Sequence, residues 1–103
     1  MGFQLGPIAD LTDAGDMTGI QKEIACDCWF TSTGTTIPRM IKIMDETGEL
    51  HSVKVLQVIS ADEKRFCGIE TVEHVCKIEV NETEKIVKLV LNKSKCTWKI
   101  IFI

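Results

Sequence analysis

The segment Ile69-Glu70-Thr71-Val72-Glu73-His74-Val75-Cys76-Lys77-Ile78-Glu79-Val80 decides the fold class. Val72, His74, Cys76, Ile78 and Val80 fall on one side of an extended chain; Thr71, Glu73, Lys77 and Glu79 fall on the other, with Val75 among them. A period of two marks a strand with one face buried. Downstream, Asn81 to Glu84 reads as a turn. Lys85 to Leu91 follows as a strand with Val87, Leu89 and Leu91 in phase, then Asn92-Lys93-Ser94-Lys95 as a turn. Cys96 to Phe102 closes the series, with Cys96, Trp98, Ile100 and Phe102 inward.

The upstream sequence has the same punctuation. Ile24 to Thr31 alternates with Ile24, Cys26, Cys28 and Phe30 on one side, and Ser32-Thr33-Gly34-Thr35 turns the chain. Ile37 to Met44 is a second strand with Ile37, Ile41 and Ile43 in phase and Pro38 near its start, where a missing N–H costs least. Asp45 to Glu49 is a second turn. Leu50 to Ile59 is a third strand of mixed phase: Val53 and Val55 share one face, Leu56 and Val58 the other. A bulge between the two pairs reconciles them and bends the strand. Ser60 to Gly68 reads as a charged connection. No stretch after residue 23 holds a helical period over eleven residues.

Six strands joined mostly by short turns predict an all-β, antiparallel meander. Such a sheet has one apolar face and no second layer to cover it, so it is expected to curl into a small barrel or roll. Residues 1–23 differ. They hold Gly2, Gly6, Gly15 and Gly19 and little periodicity, and Asp10, Asp13, Asp16 and Glu23 against Lys22 account for the whole net charge of −3. They are expected to form an N-terminal arm with one short helical turn from Pro7, ahead of a barrel domain over 24–103. Met17 is an alternative start.

A length of 103 residues fits one domain, and 45% hydrophobic with 26% charged residues fits a folded one. A pI near 5.3 gives no global basic field. No apolar run is long enough to span a bilayer, and none has the layout of a signal peptide. Five cysteines, an odd number, then point to reduced thiols in a cytoplasm.

The search for chemistry finds little. Cys26 and Cys28 are the only closely spaced thiols, and Cys67, Cys76, Cys96, His51 and His74 supply no zinc-knuckle spacing beside them. The pair reads as small core residues, with a metal or redox thiol site as the alternative. His74 lies on the inward face and reads as structural; His51 is placed at the sheet rim. Glu70 with Glu73, and Glu82 with Glu84, fall on outward or turn positions, unlike an acid/base pair. No phosphate loop, nucleophile elbow or His-Glu-x-x-His motif occurs. No catalytic residue, cofactor site or metal site is assigned, and the chain is expected not to be an enzyme.

Trp29, Val75, Ile86, Val90 and Ile101 fall outward by alternation. A contiguous apolar patch of that kind is seldom left wet, so these five are the candidate interaction residues, for a protein partner or a second copy of the chain. Lys85, Lys88, Lys93, Lys95 and Lys99 form a basic strip with no acidic residue among them after Lys85, whereas 62–84 is acidic. The two stretches adjoin in a hairpin and are expected to neutralise each other across strands. The alternative is a nucleic-acid-associated barrel that uses the Lys85–Lys99 strip, although the aromatic platform of a single-strand binder is missing.

The runs Trp29-Phe30-Thr31-Ser32-Thr33-Gly34, Ile37-Pro38, Ile41-Lys42-Ile43, Thr47-Gly48 and Val53-Lys54-Val55-Leu56-Gln57-Val58 resemble a group of small uncharacterised bacterial all-β proteins. His74-Val75-Cys76-Lys77-Ile78 and Trp98-Lys99-Ile100 extend the likeness across about residues 24–102. His74 stands where that group has an aromatic residue. The resemblance implies a compact β-barrel-like domain and carries over no established activity and no catalytic residue.

Overall fold

A computed structural model of the protein describes residues 20–103. Six strands run in sequence: β1 (Gln21–Phe30), β2 (Thr36–Met44), β3 (Leu50–Phe66), β4 (Ile69–Val80), β5 (Thr83–Asn92) and β6 (Thr97–Phe102). Each pairs antiparallel with the next, and β6 returns to β1, so the meander closes into a small barrel. The expected all-β class and curled meander are what the chain adopts. The turn expected from Pro7 lies outside the described residues. Strand β1 begins at Gln21, so residues 21–23 belong to the sheet and not to an arm.

The barrel has two halves that share two strands. Residues Ala25–Phe30 of β1, strand β2 and the first half of β3 form a three-stranded half. The rest of β3, with β4, β5, β6 and Gln21–Ile24 of β1, forms a five-stranded half. Extra residues sit where the strands bend. On β3 the register skips Leu56 and Ile59, which provides the expected bulge twice over. On β2 it skips Arg39, since Asp27 faces Met40 and Cys28 faces Pro38. An unpaired residue adds local twist and lets one strand serve both halves.

The Arg39 bulge corrects the expected phase of β2. Pro38 is buried, with Ile41 and Ile43, whereas Ile37 points outward and is 36% exposed. Three further expectations fail. Phe30 keeps the inward phase of β1 but lies beyond the packed interior and is 66% exposed. Cys96 belongs to the β5–β6 turn and is exposed, because β6 starts at Thr97. Residues 60–66 continue β3 as half of a long hairpin, with Asp62 and Lys64 on the outer face of a strand and Glu63 on its inner face, rather than forming a loop. The core forms from Ile41, Ile43, Val53, Ile78, Val87, Leu89, Ile100 and their neighbours, with Ile24, Cys26, Cys28, Val55 and Val58 packed against it.

Turn chemistry follows the sequence closely. At 31–35 and 45–49 the glycine takes a φ of 90° and its N–H reaches back three residues, to Thr31 O at 2.9 Å and Asp45 O at 3.1 Å. These are hairpin loops that end in a left-handed residue. The β3–β4 connection is Cys67-Gly68 with φ of 54° and 81°, the geometry for which Asn-Gly is favoured. Cysteine is a poor choice there, since a left-handed residue with a Cβ costs about 1–2 kcal/mol. Cys67→Asn is therefore expected to raise unfolding stability by about 1 kcal/mol, read as a higher urea midpoint with an unchanged slope.

Candidate functional site

The two ends of the barrel differ. At one end, the 45–49 turn is a closed staple. Asp45 Oδ1 accepts hydrogen bonds from Thr47 N (2.8 Å), Thr47 Oγ1 (2.6 Å) and Glu49 N (2.9 Å), and Oδ2 accepts from His51 Nε2 at 2.7 Å. His51 is fully buried, contrary to its expected place at the rim, because Asp45 turns inward to meet it. Asp45, Glu49 and His51 are the one grouping among the described residues whose ligand atoms could hold a metal ion. Both Asp45 oxygens, however, already serve the turn. The bonds from Thr47 and His51 hold the Asp45 carboxyl well below the usual carboxylate range.

At the other end the barrel is open. A cavity of about 360 Å³ lies between the 31–35 turn, the β3–β4 hairpin and the 93–96 turn. Phe30, Ala61, Val72 and Leu91 give it apolar walls, Thr36 lines it from β2, and Glu63 and Lys93 reach it from its rim. Beneath Thr36 sits His74, fully buried. Its Nδ1 lies 3.0 Å from Leu89 O, an atom that can only accept, so Nδ1 carries the proton. Nε2, 2.7 Å from Thr36 Oγ1, then accepts from the threonine hydroxyl. Trp98 packs on the ring with centroids 5.4 Å apart. His74 thus has the structural setting expected of it, and a hydroxyl at the cavity wall is oriented by it. Sequence reasoning missed this end. By sequence Ala61 and Glu63 fall in the charged 60–68 connection, yet their register opposite His74 and Val72 puts them on the inner face.

The five candidate interaction residues separate. Val75, Ile86, Val90 and Ile101 share the outer face of the five-stranded half, interleaved with Lys77, Lys88 and Lys99 by register. Long side chains cross over them: Lys88 and Lys64 reach Glu73 at 3.4 and 3.3 Å, and Lys99 Nζ reaches Gln21 Oε1 at 3.0 Å. Against the cost of partial burial, these two lysines lower the pKa of Glu73. Val90 is only 5% exposed and lines a hollow of about 840 Å³ along the seam where β1 leaves β6 after Ile24. Within the basic strip, Lys88 and Lys93 are tied to Glu73 and Glu70 across the strands.

Trp29 lies apart, on the outer face of the three-stranded half, 58% exposed beneath Arg39 at 4.5 Å and opposite Ile37. Met40 shares that face, Met44 with Leu50 extends it towards the 45–49 turn, and Leu56, also exposed, follows on β3 as a skipped residue where that strand pairs with β4. Ile37, Met40 and Leu56 could not be placed outward from sequence, because the bulges at Arg39 and Leu56 reset the phase. Among the described residues, no helix is long and apolar enough to cross a membrane.

Cys26 and Cys28 point inward. Burial pushes the Cys26 and Cys76 thiols up to about 12 and raises Cys28 as well, with neighbouring Cys28 adding to the effect on Cys26. All five cysteines are free, and Cys67 and Cys96 are exposed. Two outcomes follow. A thiol reagent at neutral pH should label Cys67 and Cys96 quickly and the other three only after denaturant is added, since the thiolate is the reacting form; equal rates at Cys26 and Cys96 would contradict this assignment. Asp45→Asn should destabilise the protein at neutral pH, and the gap from the parent should shrink as pH falls below about 4. A carboxyl with a depressed folded-state pKa stabilises above its ordinary pKa, and loses that contribution as pH drops towards the folded value. Thermal melts across pH 2–7 (roughly,) would show the two curves converging.

Compared with known proteins, the chain matches no family model, no curated protein and no solved structure.

Proposed function

We propose that this protein is a non-enzymatic interaction module that associates with a second copy of itself through the outer face of the three-stranded half. The observation that carries the reading is the gathering of Trp29, Ile37 and Met40 on one exposed face. On the five-stranded half, Val90 is buried, Val75 and Ile101 are half-buried, and Lys64 and Lys88 pair with Glu73 on the same face. Trp29 stays 58% exposed even beneath Arg39, and aromatic and Arg residues of this kind are enriched at interface centres. The face also suits a second copy electrostatically. Arg39, Lys42 and Lys54 stand against Asp27, Glu46 and Glu49, so two such faces meet without net repulsion.

Sedimentation tests this directly. The parent is expected to sediment as a dimer at micromolar concentration (roughly,), and Trp29→Asp and Ile37→Asp as monomers. Neither substitution should shift stability by more than about 0.5 kcal/mol, because both side chains are substantially exposed. A monomeric parent, or variants that remain dimeric, would refute the assignment.

A further inference from the structure

The open end of the barrel has a polarity that its residues fix one after another. Leu89 O holds the proton on His74 Nδ1, so His74 Nε2 takes the proton of the Thr36 hydroxyl. Thr36 Oγ1 has then spent its only donor and presents lone pairs alone. Glu63, opposite Val72 on the inner face, also presents only acceptors. It has no ion-pair partner among the described residues, because the nearby cations are engaged elsewhere: Lys64 with Glu73, and Arg65 and Lys93 with Glu70. Beside these two acceptors Phe30, Val72 and Leu91 give the cavity apolar walls, with the 33–35 turn, Lys93 and Cys96 at its rim. Its volume of about 360 Å³ is within the range of small-molecule sites, and the mouth of a β-barrel is one of their usual places.

We propose that this cavity binds a small apolar amine: a molecule that seats a hydrocarbon or aromatic body among Phe30, Val72 and Leu91 and directs the N–H donors of an ammonium group at Glu63 and Thr36. Glu63 and Thr36 offer only acceptors on this wall, and Lys93, the cation that also reaches the rim, is drawn to Glu70, so the wall selects a cation over an anion. Phe30, at the mouth, offers a ring face to the same charge. An acid of identical shape would meet the Glu63 carboxylate and two sets of lone pairs, and is rejected.

The experiment is a titration of the full chain with 2-phenylethylamine, followed by the backbone amide resonances of Thr36, Ala61 and Leu91, and repeated with phenylacetate. The amine should give saturable shifts at those residues with a Kd on the order of 1 mM, as expected for a ligand of this size. Phenylacetate should give none. Glu63→Gln, at an exposed and unpaired position, should leave the fold intact and weaken amine binding about fivefold, the loss of one solvent-facing ion pair. Absence of saturable shifts with the amine would overturn the proposal, and so would phenylacetate binding as tightly as the amine or Glu63→Gln binding unchanged. None of these readings depends on whether the chain is a dimer, since the opposite outer face is not involved.

Discussion

A single curved sheet must hide its apolar face against itself, and everything else in this molecule follows from that constraint. Six strands of ordinary twist do not close on their own side chains unless some of them bend. Arg39, Leu56 and Ile59 provide the bends, each as an extra residue without a cross-strand partner. Because of them β3 can leave the three-stranded half and finish in the five-stranded one. The interior then fills with residues whose inward phase is uninterrupted, such as Cys76, Ile78, Leu89 and Ile100, none of them exposed.

The same constraint governs the polar groups inside. Two histidines are fully buried, and neither is adrift. His74 is held between Thr36 and the Leu89 carbonyl, and His51 is held by Asp45. The His74 imidazole is tolerated in such a core because both of its nitrogens are paired; stripped of partners it would cost several kcal/mol (roughly,). The Asp45–His51 pair locks one end of the barrel. The Thr36–His74 pair leaves the other end open and sets which way its hydroxyl points.

Strands with a clean period of two were legible in the sequence: β4, β5 and most of β6 lie close to their expected positions, and so do the turns carrying Gly34 and Gly48. What alternation could not show is where it is broken. One skipped residue reverses the phase across it, so alternation from Ile41 and Ile43 puts Ile37 on the wrong face, while the unbroken charges of residues 62–65 read as a polar loop. The candidate sites fell into those gaps. Of the exposed apolar face, only Trp29 was readable, since Ile37, Met40 and Leu56 flank bulges. The open-end cavity needed Glu63 and Ala61 on a strand, and their charge and small size gave no hint of it. His51 illustrates a different limit: a side chain near a turn is normally wet, and only the inward rotation of Asp45 makes burial affordable.

The seam between β1 and β6 has a bearing on how the chain reaches this state. Among the described residues, Gln21 to Ile24 joins Ile101 to Trp98 there, with Phe102 N donating to Ile20 O, and these partners lie at opposite extremes of the barrel sequence. Loop entropy makes so distant a zipper the last to form and the first to come undone. During synthesis, β1 to β5 can stack as a nascent open trough, but the hoop cannot be fastened before β6 has left the ribosome. Until then Cys26 and Cys28 lack the partial cover that the closed barrel gives them.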